Sequence, residues 1–272
     1  MPIALRSMTT TELPQKYSRL SDLTPDALFE ARFLEKYRRL HSDIWNRMVL
    51  INGTVVSLEA VERFPFHYLY APNEIEFWRL VHYNFSFTAC VMLHALVGDQ
   101  EEDAHTIRRF KNEIANEMHW LDANHRASFF TGLRELAFDD QVNLVKRVTD
   151  LRNNRLAHRL IDRASGDFAK SVSVPSTAEL RKLFDQCKSL FDYLSFNLEY
   201  VTLGGDYMPS TVGGQPQPTS LDRLFDAMLK DSNVVREPEL KEGWWSVMRS
   251  HRSPEELSIM NQCRRRIGLP DA

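Results

Sequence analysis

NEIEFWRLVHYNFSFTACVMLHALV, residues 73–97, is the stretch on which the fold class turns. Ile75, Phe77, Trp78, Leu80, Val81, Phe85, Phe87, Val91, Met92 and Leu93 put apolar side chains on all sides of a 3.6-residue period, the pattern expected of a helix buried in the middle of a bundle. The segment is therefore expected to be the central core element. His82 and His94 are twelve positions apart and share a face; at such positions a satisfied core histidine is the ordinary outcome.

On the N-terminal side, Thr24-Pro25-Asp26 places a capping hydroxyl before a proline at the first helical position, and a long helix is expected from there to about Ile51. Gly53 is expected to interrupt it, with a second helical piece reaching Phe64 and stopping before Pro65. On the C-terminal side, residues 101–118 carry Ala104, Ile107, Ile114, Ala115 and Met118 on one face, and a short helix is expected over 127–137. Asp139 or Asp140 is expected to cap a helix reaching about His158. Ser176-Thr177-Ala178-Glu179 is a capping box, and the helix it opens carries Leu180, Leu183, Phe184, Cys187, Phe191, Leu194 and Leu198 as a stripe. No alternating strand pattern of comparable length is present and no repeat is found, so the class expected is all-α.

Four of the 10 glycines, Gly204, Gly205, Gly213 and Gly214, fall within residues 204–219 together with Pro209, Pro216 and Pro218. That stretch reads as a linker between a body, residues 23–203, and a C-terminal helical appendage, residues 220–272, in which Leu221, Leu224, Phe225, Met228 and Leu229 keep helical spacing. Residues 1–22 form an N-terminal extension. A chain of 272 residues, 43% hydrophobic and 26% charged, has the composition of a globular protein and excludes disordered and collagen-like classes.

Lysine and arginine total 34 against 37 acids, so any basic site is local. Cys90, Cys187 and Cys263 form no C-x-x-C pair and read as reduced thiols, with neither a disulfide framework nor a zinc knuckle. No run approaches the ~18 apolar residues of a spanning helix, Ala89–Val97 being short and broken by His94, and the first residues carry no secretory pattern; a cytoplasmic chain without a membrane partner is expected.

One segment stands apart in charge. Lys146, Arg147, Arg152, Arg155, Arg159 and Arg163 face only Asp150 and Asp162 over 146–163, a place for an anionic partner to dock. With Val142 at zero on a helical wheel, Leu144, Val145, Val148, Leu151 and Leu156 fall between about 180° and 320°, and Arg152 falls at about 280°, inside that arc. A guanidinium aimed at an apolar interface needs a hydrogen-bonding partner, whether a buried acid, water at the surface or a ligand.

Arg152-Asn153, four further residues and then His158, with Ala157 just before the histidine, resembles the motif of the HEPN superfamily, and more narrowly the abortive-infection HEPN-like ribonucleases of toxin and phage-defence systems. The likeness covers residues 23–203. Where many members carry an acid next to the histidine, this chain has Arg159. The resemblance implies an antiparallel helical bundle and a metal-independent endoribonuclease needing no cofactor, in which a 2′-hydroxyl attacks the adjacent phosphorus to leave a 2′,3′-cyclic phosphate. It casts His158 as general acid or base, Arg152 as the group holding the phosphate, and Asn153 as the residue orienting the histidine or the phosphate by hydrogen bonding. Lys146, Arg147, Arg155 and Arg159 would then bind RNA, two copies of the motif would face each other in a homodimer, and an antitoxin protein is a possible partner. The alternative is a non-catalytic module of the same type that binds RNA or a partner protein; a third is a helical scaffold in which the motif is coincidental.

Other constellations are weaker. Glu102-x-x-His105 has a di-iron spacing but no second copy. His119 and His125, near Glu113 and Glu117, lack a zinc spacing. Trp244-Trp245 is expected to anchor the tail, and Arg264-Arg265-Arg266 to form a solvated end. Phosphate-loop, dinucleotide and zinc-protease motifs are missing from the sequence.

Overall fold

Proline sets the ends of the first helices. In the computed structural model, which describes residues 24–70, 72–98, 104–121, 123–138, 141–153, 173–196, 210–212, 215–236 and 253–272, Pro25 opens a single turn, α1 (Pro25–Leu28), that ends at Phe29 in an extended conformation. The chain re-enters helix as α2 (Ala31–Arg63) and runs through Gly53 without a break, contrary to expectation. One glycine costs a helix about 1 kcal/mol, and the 33-residue element has enough packing to absorb it, with Ile51 and Val55 fully buried on either side. Phe64 leaves the helix because a residue before proline is kept out of the α region. After Pro65 come α3 (Phe66–Leu69) and α4 (Pro72–Val97).

α4 is the expected helix with an unexpected environment. Ile75, Ala89, Cys90, Leu93 and Leu96 are buried, whereas Phe77 and Leu80 are 62% and 56% exposed. It is not buried on all sides: its neighbours cover one face, and an all-round apolar sequence does not reveal which. Among the described residues it is the one helix long and apolar enough to cross a membrane, with mean hydropathy 1.4 over Ile75–Val97.

The remaining elements are α5 (Ile107–Glu117), a 3₁₀ turn (Met118–Trp120), α6 (Ala123–Glu135), α7 (Val142–Leu151), α8 (Thr177–Leu194), β1 (Ser210–Val212), β2 (Gln215–Gln217), α9 (Ser220–Asp231), α10 (Asn233–Arg236) and α11 (Pro254–Arg266). The fold is all-α; its only strands among the described residues are the three-residue antiparallel pair, with Thr211 opposite Pro216, in the stretch expected as linker.

The chain forms two compact units, Met1–Asn52 with Thr88–Leu203, and Gly53–Phe87 with Gly204–Ala272. In the first, Phe29, Phe33, Tyr37, Phe110, Phe191 and Phe196 form an aromatic core. The Tyr37 hydroxyl donates to the Leu194 carbonyl at 2.9 Å and closes the end of α8. That helix begins with the expected capping box at Ser176 and Glu179, and its stripe from Leu180 to Leu194 is buried. In the second unit, Val61, Phe64, Phe66, Leu69 and Ile75 share one core with Phe225, Leu229, Val235, Met260 and Cys263. The tail thus packs on residues 53–87, which the sequence places in the body. A segment of some fifty residues is marginal as a core of its own and gains by sharing one.

Candidate functional site

The basic segment begins on α7. Leu144, Val148 and Leu151 form its buried stripe, and α7 packs on α8. Its N-cap is Gln141, whose side chain makes no capping bond; the expected caps Asp139 and Asp140 lie outside the described residues. At its far end the ladder widens into a π turn at Arg152 and Asn153.

Arg152 is exposed, which corrects its expected position inside the apolar arc. The three residues that are buried centre on about 205° of the same wheel, so Arg152 lies about 75° away, on the shoulder. Val145 is only half-buried, and Leu156, which sets the 320° edge of that arc, lies outside the described residues. The Arg152 Nη1 donates to the Asn153 Oδ1 at 2.9 Å. The two motif residues are therefore joined, with a cation in solvent at a helix C-terminus, where the backbone dipole favours positive charge.

Arg147 behaves differently from the phosphate contact expected of it. Nη1 and Nη2 donate to the two carboxylate oxygens of Glu179 at 2.6 and 3.4 Å, so the charge is spent within the chain. The Arg147 hydrogen bond is the main cause that holds the Glu179 carboxyl below the usual carboxylate range, followed by the Ser176 N–H. Glu179 joins two jobs, capping α8 and fixing α7 to it, and only the first is legible in the sequence. Near the same guanidinium, burial pushes the Cys90 thiol up to about 12, so it is a neutral core group. Lys146 is exposed. His158, Arg155 and Arg159 lie outside the described residues.

The competing histidines are accounted for singly. His105 Nδ1 meets Asp43 Oδ2 at 2.6 Å, His82 Nε2 meets Glu62 Oε1 at 3.0 Å, and His94 Nδ1 meets Thr149 Oγ1 at 3.3 Å. His119 Nδ1, in the 3₁₀ turn, donates to the Asn116 carbonyl in the last turn of α5. Among the described residues no group of three or more His, Cys, Asp or Glu is placed to hold a metal.

The arginine triplet is no simple solvated end. Arg264 is buried and donates to the carbonyls of Val235, Arg236 and Pro270, tying α11 to α10 and to the C-terminal residues. Arg266 is bound by Asp222 and Asp226. Arg265 is the most exposed of the three, and its Nε lies 3.6 Å from Asp271 and donates to the Asn261 carbonyl of its own helix. Tandem arginines at the end of a helix look alike in sequence, and which of them turns inward depends on carbonyls left unpaired elsewhere.

Comparison with protein-family models, with curated proteins and with solved structures finds no match to this chain.

Proposed function

We propose that the chain is an all-α, metal-independent endoribonuclease of the HEPN type, acting in a toxin or phage-defence system. The observation that carries the reading is Arg152: a solvent-facing guanidinium at the end of α7, already bonded to Asn153, at the start of the motif that ends in His158. Such a cation is available to a phosphate, unlike Arg147. Its planar fork suits phosphate oxygens and stabilises the charge that grows on them as the 2′-hydroxyl attacks. Asn153 limits the rotamers open to the guanidinium. His158 supplies the proton chemistry, removing the 2′-hydroxyl proton or protonating the departing 5′-oxygen, since imidazole titrates near neutral pH. The phosphorus–O5′ bond breaks as the phosphorus–O2′ bond forms, leaving a 2′,3′-cyclic phosphate and a 5′-hydroxyl. Two protomers facing each other with the motif would supply a histidine from each side of one RNA strand.

The test is purified protein, parent against His158→Ala and Arg152→Ala, on structured and single-stranded RNA with chelator present. Cleavage with cyclic-phosphate ends is expected, reduced about 10²- to 10⁴-fold by the histidine change and about 10²- to 10³-fold by the arginine change, at unaltered helicity. RNA binding without cleavage, equal in parent and His158→Ala, assigns instead the non-catalytic module. Loss of thermal stability alone on Arg152→Ala makes the motif coincidental.

A further inference from the structure

The second unit contains a cavity that none of the chemistry above uses. It measures about 560 Å³ and lies between the C-terminal end of α2, α3, α9 and α11. That size falls within the ~300–1,000 Å³ of small-molecule sites. Phe64, Phe225, Leu229, Ile259 and Cys263 supply its apolar wall, and Phe64 and Phe225 stack on each other at 4.3 Å. Because those two rings use their faces on one another, the wall suits an aliphatic body better than a stacked base.

The polar groups at the cavity differ in what bonding capacity they have left. Its acids are engaged: Glu62 with His82, and Asp222 with Thr219 and Arg266. Arg266 in turn is held by Asp222 and Asp226. Asp222 stays below the usual carboxylate range because the Thr219 bonds and Arg266 outweigh its burial. Arg63 is exposed, and its only bond among the described residues is from Nε to the Glu59 carbonyl, leaving both terminal amino groups. His67 and Gln262, also exposed and lining the cavity, have no partner among the described residues. The capacity that remains is mainly for donating hydrogen bonds, with one guanidinium charge. A ligand that satisfies it brings acceptors and a negative charge.

We infer that this cavity binds a small amphiphilic carboxylate, its aliphatic body against Phe64, Phe225, Leu229 and Ile259 and its carboxylate on Arg63. The inference stands on the second unit alone and is independent of the ribonuclease reading. Arg63 supplies head-group selectivity, and the apolar wall supplies chain-length dependence.

Titration calorimetry on the full chain tests it with decanoate, octanoate and decanol as probes. Decanoate is expected to bind one per chain. Octanoate should bind about tenfold or more weaker, since each methylene contributes roughly three- to fourfold in affinity. Decanol, with the same tail and no charge, should bind at least fivefold weaker than decanoate. Arg63→Gln, an exposed change, is expected to bring decanoate down to decanol, and Ile259→Trp to abolish both by filling the space. No binding of decanoate, equal binding of decanoate and decanol by the parent, or an unchanged ratio in Arg63→Gln overturns the proposal, as does parent-like binding by a folded Ile259→Trp. If circular dichroism shows Ile259→Trp unfolded, the Arg63→Gln ratio decides.

Discussion

The His41 imidazole is buried among Tyr37, Phe110 and Phe191, with its ring centroid 4.5 Å from that of Phe191. Its Nε2 lies 3.0 Å from the Ser195 hydroxyl, which donates its own proton to the Phe191 carbonyl at 2.8 Å. Ser195 Oγ is therefore the acceptor, and the neutral ring carries its proton on Nε2. Burial lowers the His41 pKa from 6.5 to about 4. Between those values the unfolded chain binds the proton and the folded chain does not, so stability rises with pH from about 4 to 6.5 and this contribution is complete above the upper value. The full span is on the order of 3 kcal/mol. Urea unfolding from pH 4 to 8 should show this rise, and His41→Gln, which keeps a hydrogen-bonding nitrogen and has nothing to titrate there, should flatten it. An equal slope in that variant assigns the acid sensitivity to other groups. A buried histidine was the expected fate of His82 and His94 as well, yet His82 sits at the surface with Glu62 and α4 buries only His94. Sequence identifies the residue type suited to a core and leaves the partner to tertiary structure.

At the scale of elements, the helices written in local code were legible: the α8 capping box and stripe and the α2 stop before Pro65 both follow from side chains within a few positions. What was not legible depended on distant elements. The open side of α4 at Phe77 and Leu80, the carboxylate that takes Arg147, and the shoulder position of Arg152 are each fixed by what packs against the helix. Of the candidate site, the sequence named Arg152 and Asn153, and their mutual bond arises at a π turn that no periodicity announces. Gly132 shows the same dependence on a neighbour. A Cβ there would clash with the Tyr193 hydroxyl oxygen, because Tyr193 reaches from α8 across α6 to donate to the Phe129 carbonyl at 3.1 Å. Helix propensity favours alanine by about 1 kcal/mol, while forcing the ring aside costs about 1–3 kcal/mol and the hydrogen bond. Gly132→Ala is expected to destabilise by about 1–2 kcal/mol in thermal or urea unfolding, where propensity alone predicts a gain. Tyr193→Leu in the same chain should make Gly132→Ala neutral or stabilising; a stabilised single variant would mean that α6 and α8 do not approach so closely.

At the scale of the whole molecule, cooperative units do not follow the order of the chain. Residues 53–87 share a core with residues 204–272, although well over a hundred positions separate the two segments. Local unfolding follows such contacts, so amides that share a core should lose protection together. Phe225 is the residue to ask, since it is fully buried on α9 and touches Phe64, Phe66 and Trp78 from the earlier segment. Removing such a ring leaves a cavity worth about 3–5 kcal/mol. In native-state hydrogen exchange, Phe225→Ala is expected to speed exchange in α9 and α11 and equally in α3 and the C-terminal turns of α2, with the α8 amides unchanged. Faster exchange confined to α9 would show that the tail opens without residues 53–87. Loss of protection throughout α8 would show that both units unfold as one.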